Sequence, residues 1–129
     1  TFAICNLLLP VDTADGAALD GKHVANQVLA YLGGGTPPSD TVDLEVDSSA
    51  RWVSPNIIRP GDISPSRERL LFWTDTYIAR PTVEARQGGK VIGSVRTSWP
   101  AAPGRAFRAP SSILDKVDYG AGPVTLSIT

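Results

Sequence analysis

A run of three glycines and two prolines divides this chain of 129 residues into two parts of different character. The stretch GGGTPPSD covers residues 33–40, and its glycine and proline content excludes both a regular helix and a regular strand. We therefore predict a linker over residues 36–41 that follows an exposed, extended path. The fold of this chain must then consist of one unit before the linker and another unit after it.

The composition is that of a globular protein, and it excludes several functions. Hydrophobic residues make up 42% of the chain and charged residues 19%. Twelve basic and 13 acidic residues give a net charge of −1 without a long block of like charge, which argues against a nucleic-acid partner. No stretch has the length of a membrane span, and the single cysteine cannot form an internal disulfide. We expect a cytoplasmic chain with no membrane partner.

The first part of the chain predicts a strand, a loop and a helix. TFAIC, at residues 1–5, is a continuous apolar run, as is typical of a strand covered on both faces. Apolar residues then recur at three- and four-residue spacing, which predicts an amphipathic helix with an apolar stripe of Ala18, Ala25, Val28, Leu29 and Leu32. Gly33 is suited to a left-handed cap at the end of this helix.

The predicted helix needs a cap at its start, and the predicted strand before it needs neighbouring strands. Asp12, Thr13 or Asp15 can cap the helix N-terminus. A strand that is buried on both faces needs neighbours on both sides, and this chain offers none before TFAIC. We therefore expect the chain to be part of a larger folding unit, to which residues 1–35 contribute a terminal strand and helix.

The second part of the chain predicts β-structure throughout. TVDLEV at residues 41–46 and PVTLSIT at residues 123–129 alternate apolar and polar side chains, as half-buried strands do. RLLFWTDTY and RAFRAP are further candidate strands. In TVEARQGGKVIGSVRTSW, the dipeptide Gly88-Gly89 accepts the positive φ angles of a tight hairpin. This pattern predicts an immunoglobulin-like antiparallel β-sandwich over residues 42–129.

Motifs for catalysis are missing from the sequence. It contains no nucleophile elbow, P-loop, GxGxxG motif or zinc-ligand spacing, so we name no catalytic residue and no metal ligand. His23 lies off the apolar stripe, and a solvent-facing role is favoured over a proton shuttle. For Cys5, a buried position in the first strand is favoured over a reactive thiol.

Five aromatic residues allow two interpretations. They can form a platform for a carbohydrate or another ligand, or they can belong to the core and to packing between domains. The second interpretation is favoured, because large aromatic side chains dominate small β-cores. The residues are Trp52, Phe72, Trp73, Tyr77 and Trp99.

The sequence FAICN, at residues 2–6, resembles the closing FAD motif of flavoproteins of the pyridine-nucleotide-disulfide type, which reads Phe/Tyr-Ala-apolar-Gly-Asp. It is more similar to a subgroup of FAD-dependent oxidoreductases that includes hydrogen cyanide synthase and opine oxidase relatives. Members of that subgroup also tend to carry a β-sandwich tail, which RWVSPNIIRPGD, LLFWTDTY and EARQGGKVIGSVR resemble. The positions that follow the register of the subgroup are Asn6, Leu7, Leu8, Asp12, Asp15 and Gly21.

This resemblance implies a role in flavin binding. Asn6 would bond the ribityl or pyrophosphate part of FAD. The backbone amides around Asp12, Thr13 and Ala14, with Asp15 in the same first turn, would approach the pyrimidine edge of the flavin. Cys5 stands where the family has glycine, which puts the close approach of that backbone to the cofactor in doubt.

The chain departs from the family in a second way, because the GxGxxG half that holds the ADP moiety is absent. The resemblance therefore implies FAD shared with a larger catalytic chain in a hetero-oligomer, with no activity of this chain alone. The missing half could equally come from a portion of the same precursor that has been removed from this chain. The alternative is a non-enzymatic β-sandwich module for interaction or ligand binding, with a docking helix.

Overall fold

The computed structural model describes residues 13–34, 40–62, 64–65 and 68–129. Within these residues the chain is mixed: it forms one α-helix, a short 3-10 helix at Ser111–Leu114 and two sheets of mostly antiparallel strands. None of the helices described is long and apolar enough to cross a bilayer. The elements are α1 (Ala14–Leu32), β1 (Val42–Val46), β2 (Trp52–Ser54), β3 (Ile57–Ile58), β4 (Arg69–Trp73), β5 (Thr82–Gln87), β6 (Lys90–Arg96), β7 (Phe107–Pro110) and β8 (Val124–Ile128).

The helix α1 confirms the helix that the apolar spacing predicts. Thr13 precedes it in an extended conformation, with φ −78° and ψ 157°, and its carbonyl accepts a 2.9 Å hydrogen bond from the Ala17 amide. The prediction of a left-handed Gly33 is wrong by one residue. Gly33 has φ −70° and its amide still closes the last turn onto Leu29, whereas Gly34 has φ +81°. The chain therefore leaves the helix at the second glycine.

The apolar stripe of α1 is not buried in the part of the chain that the structure describes. No residue of the helix falls in the buried class. Leu29 and Leu32 are 66% and 72% exposed, and Tyr31 between them is 58% exposed. An amphipathic helix derives most of its stability from packing of its apolar face, so this face of α1 lacks the cover it would need.

The larger sheet has the strand order β3-β1-β8-β5-β6. All its ladders are antiparallel except the one between β1 and β8, where Leu44 lies opposite Val124 and Val46 opposite Leu126. The prediction of a purely antiparallel β-region is therefore wrong at this ladder. The two strands are separated by most of the second part of the chain, and a connection of that length permits the parallel direction.

The smaller sheet has the order β2-β4-β7, which separates β7 from the last strand. In immunoglobulin constant domains the last two strands share a sheet, whereas here β8 pairs with β1 and β5. The strand order thus differs from the immunoglobulin-like order that the sequence suggested.

The two sheets share one hydrophobic core, an arrangement compatible with a β-sandwich. The alternation predicted for β8 is confirmed, because its three apolar side chains are buried and Thr125 between them is exposed. In β4, Leu70 and Phe72 point into the same core. The buried members contributed by the larger sheet are Val42, Leu44, Val83, Ala85, Val124, Leu126 and Ile128, and those of the smaller sheet are Val53, Leu70, Phe72, Phe107 and Ala109.

The hairpin between β5 and β6 turns at the predicted dipeptide. Gly88 has φ +56° and Gly89 has φ +79°, and Gln87 lies opposite Lys90 across the turn. Two successive positive φ angles characterise the tight hairpin turn that suits the twist of the strands.

Replacing Gly89 by valine should lower the free energy of unfolding by about 1–2 kcal/mol, because a β-branched residue resists the left-handed region. Urea unfolding would measure the loss. Lys90→Val is the matched control, since Lys90 is exposed at the first position of β6, and it should change stability by less than about 0.5 kcal/mol. Equal stability of the two variants would contradict the assigned turn.

Candidate functional site

The start of α1 brings together three of the five residues predicted to bind the cofactor. Thr13, Ala14 and Asp15 are consecutive and exposed, and Asp15 is an acidic residue in the first turn. The other two, Asn6 and Asp12, lie outside the described residues, as do Cys5, the predicted first strand and most of the predicted linker. The flavin-binding prediction therefore stays a prediction.

The chemistry available at the start of α1 is that of backbone amides. Thr13 makes no side-chain capping bond to the helix, so its hydroxyl does not satisfy the amides of the first turn. The helix dipole favours negative charge at this end. This end of α1 is therefore suited to an electron-rich or anionic group.

A groove of about 400 Å³ lies where the first strands of the two sheets come together. Trp52 and Leu71 supply apolar surface, and both are half-buried. The volume is within the usual range of about 300–1,000 Å³ for small-molecule sites. The residues lining it are Asp20, Leu44, Glu45, Val46, Arg51, Trp52, Val53, Ser54, Asn56 and Leu71.

The charged residues that line the groove differ in whether they form ion pairs. Arg51 forms an ion pair with Asp75, which lies outside the groove, at 2.5 Å between Nε and Oδ2. Glu45 is exposed on β1 and has no ion pair among the described residues. Since the guanidinium of Arg51 is already engaged by a carboxylate, the charge that the lining presents is predominantly negative.

The five aromatic residues separate into three environments. Phe72 belongs to the core and contacts Phe107, with ring centroids 6.2 Å apart. Trp52 and Trp73 face each other across β2 and β4, with ring centroids 6.2 Å apart and ring planes inclined by 21°. The core interpretation therefore holds for Phe72, and the two tryptophans form a stacked pair beside the groove.

Tyr77 and Trp99 lie on two loops that are joined by backbone hydrogen bonds between Ile78 and Ala101. Tyr77 is 64% exposed and Trp99 is 74% exposed. Neither residue lines the groove, and neither contributes to the core. These two residues therefore do not belong to the core, and their packing between domains stays a prediction.

The described residues offer no cluster of side chains for metal binding. They contain no group of three or more histidine, cysteine, aspartate or glutamate residues able to hold a metal ion. His23 is half-buried on α1.

Sequence reasoning found Trp52 but missed the residues that the fold places beside it in the groove. Glu45 belongs to β1, Ser54 to β2 and Leu71 to β4. No local motif joins these positions, because β1 belongs to the larger sheet and β2 and β4 to the smaller one, and the groove forms where the two sheets come together. Comparisons with protein-family models, with curated proteins and with solved structures give no match.

Proposed function

We propose that this chain is the C-terminal portion or small subunit of a FAD-dependent oxidoreductase. In this proposal residues 1–35 complete an α/β FAD-binding domain and close the flavin site, and residues 42–129 form a β-sandwich that packs against a larger catalytic chain. The register of FAICN, Asp12 and Asp15 supports the proposal, and so does the start of α1 at Ala14, between those two aspartates.

The observation that carries the proposal is the uncovered apolar face of α1. Leu29 and Leu32 expose two large apolar side chains in the last turn of a helix that has no buried residue. In an α/β layer such a face packs against a sheet, and burial of each leucine contributes roughly 1.5–3 kcal/mol. A larger chain that supplies the rest of the layer would provide this cover.

FAD, when bound, would supply the hydride or electron transfer, and this chain would bind and orient it. Asn6 offers both a donor and an acceptor to the polar part of the cofactor. The amides at Thr13 and Ala14, at the positive end of the helix dipole, would favour negative charge near the flavin ring. No residue of this chain is assigned a proton-transfer step.

The alternative is a non-enzymatic interaction module that docks through α1 and binds a ligand on its β-rich part. The groove beside Trp52 is the observation that favours it. The two proposals differ in what the native assembly contains, because only the first requires a flavin.

The docking role of α1 is tested by Leu29→Glu combined with Leu32→Glu. Two carboxylates on the apolar face should prevent burial, so the purified assembly should retain less than about a tenth of its flavin and of its larger chain. Flavin absorbance per mole of tagged chain, together with gel electrophoresis, measures both.

The matched control for this test is Asn26→Glu combined with Ala30→Glu, which places the same charges on the same helix at exposed positions. This control should assemble as the unmodified chain does. Full assembly of the Leu29/Leu32 variant would refute docking through this face. Loss of the larger chain from an assembly that never contained flavin would instead support the alternative.

A further inference from the structure

We propose that the groove beside Trp52 is a binding site for a small organic cation, such as an alkylamine or a quaternary ammonium compound. The site is lined by residues of β1, β2 and β4, by Asp20 of α1 and by Arg51 and Asn56 beside the strands, and none of the predicted cofactor-binding residues that the structure describes lines it. The argument for a cation uses Trp52 and Glu45 and makes no use of a flavin.

The aromatic wall of this site is held in place by the fold. Trp52 lies at the start of β2, and the register of β2 with β4 sets it opposite Trp73. The two rings stack with their planes inclined by only 21°. Because the neighbouring ring restricts the rotamers of Trp52, the indole surface that lines the groove is preorganised for a ligand.

The lining contains two carboxylate residues, Asp20 and Glu45, and we assign the charge interaction to Glu45. It lines the same groove as Trp52 and forms no ion pair among the residues described. Arg51 is the one basic residue in the lining, and its guanidinium is bonded to Asp75. A cation in the groove would therefore meet the carboxylate of Glu45, which has no ion pair among the described residues, whereas the charge of Arg51 is partly balanced by Asp75.

The ligand class follows from these two groups. Among aromatic side chains, tryptophan gives the strongest cation–π attraction, and a nearby carboxylate adds a direct charge interaction. The half-open groove, at about 400 Å³, accommodates a compact head group with a short chain. A neutral sugar could use the ring and the amide of Asn56, but it would not use the charge of Glu45, so the cation is the better match.

The test titrates the full chain with choline and follows the tryptophan indole N–H signals in proton–nitrogen correlation spectra. We expect saturable shifts of one indole signal in the millimolar range, weakening as sodium chloride is raised. The neutral isostere 3,3-dimethyl-1-butanol should bind at least threefold more weakly, because it has the same shape without the charge. Trp52→Leu and Glu45→Gln should each weaken choline binding at least threefold.

Two matched variants control for the general loss of an indole or a charge. Trp99→Leu removes an exposed tryptophan, and Asp43→Asn removes an exposed carboxylate of the same strand as Glu45; neither residue lines the groove. Both should bind choline as the unmodified chain does. If Trp52→Leu does not fold, Trp52→Phe keeps an apolar ring on β2 and should still weaken binding.

Three outcomes would overturn the proposal. The first is the absence of any saturable shift with choline. The second is equal binding of choline and its neutral isostere, which would make the groove merely apolar. The third is binding of maltose at this site without binding of choline, which would make it a carbohydrate site.

Discussion

Replacing Gly93 by alanine should lower the free energy of unfolding by about 3 kcal/mol, because there is no room for a methyl group at this position. A Cβ built on Gly93 would lie 2.1 Å from the carbonyl oxygen of Ile113 and 2.7 Å from its carbonyl carbon. Both are backbone atoms, and Ile113 is itself in the core, only 4% exposed. The 3-10 helix at Ser111–Leu114 would have to move away from β6, and the core would open beneath it.

The measurement for Gly93→Ala is urea unfolding of the full chain, followed by circular dichroism and tryptophan fluorescence. Ser94→Ala is the matched control, since Ser94 is the next residue of β6 and is exposed. This control should change stability by less than about 0.5 kcal/mol. If Gly93→Ala is as stable as Ser94→Ala, the 3-10 helix does not pack on β6 in the way described.

Replacing Gln87 by methionine should lower the free energy of unfolding by about 2–3 kcal/mol, because it leaves backbone groups without partners. Gln87 is 6% exposed. Its amide nitrogen donates to the carbonyls of Asp118, at 2.7 Å, and Gly122, at 2.8 Å. Its amide oxygen accepts from the Asp118 amide at 3.0 Å. Methionine keeps a similar volume but makes none of these three bonds.

The same variant should loosen the loop that leads into β8, so the amides of residues 118–122 should exchange hydrogen faster than in the unmodified chain. Arg86→Met is the matched control, because it removes only the exposed ion pair with Glu84 and should cost less than about 1 kcal/mol. If Gln87→Met loses no more stability than this control, the three hydrogen bonds of Gln87 do not hold the loop before β8 in place.

Elements specified by local sequence were predictable in this chain. The alternation in β8, the glycine pair of the β5–β6 hairpin and the apolar spacing of α1 each depend on neighbouring residues, and the structure confirms all three. The cap at Gly34 was missed by one residue, because either of two adjacent glycines accepts a positive φ angle. Local patterns therefore located the elements but not every boundary.

Features that depend on distant residues were not predictable. The parallel pairing of β1 with β8 joins the two ends of the second part of the chain, and no local signal encodes its direction. In the sequence Gly93 is an ordinary strand glycine, and only the structure shows that the backbone of Ile113 packs against it. Glu45 and Trp52 line one groove because β1 and β2, which belong to different sheets, come together there. Contacts between separate elements are therefore the part of this fold that sequence patterns could not provide.

The flavin-binding claim is tested most directly by the absorption spectrum of the native assembly that contains this chain. A tagged copy of the chain would be purified with its partners under mild conditions, and the spectrum would be recorded before and after denaturation. We expect an absorption band of the flavin at about 450 nm in the native assembly. Denaturation should release about one equivalent of FAD per copy of this chain. An intact assembly without this band, in which no FAD is released, would contradict the account.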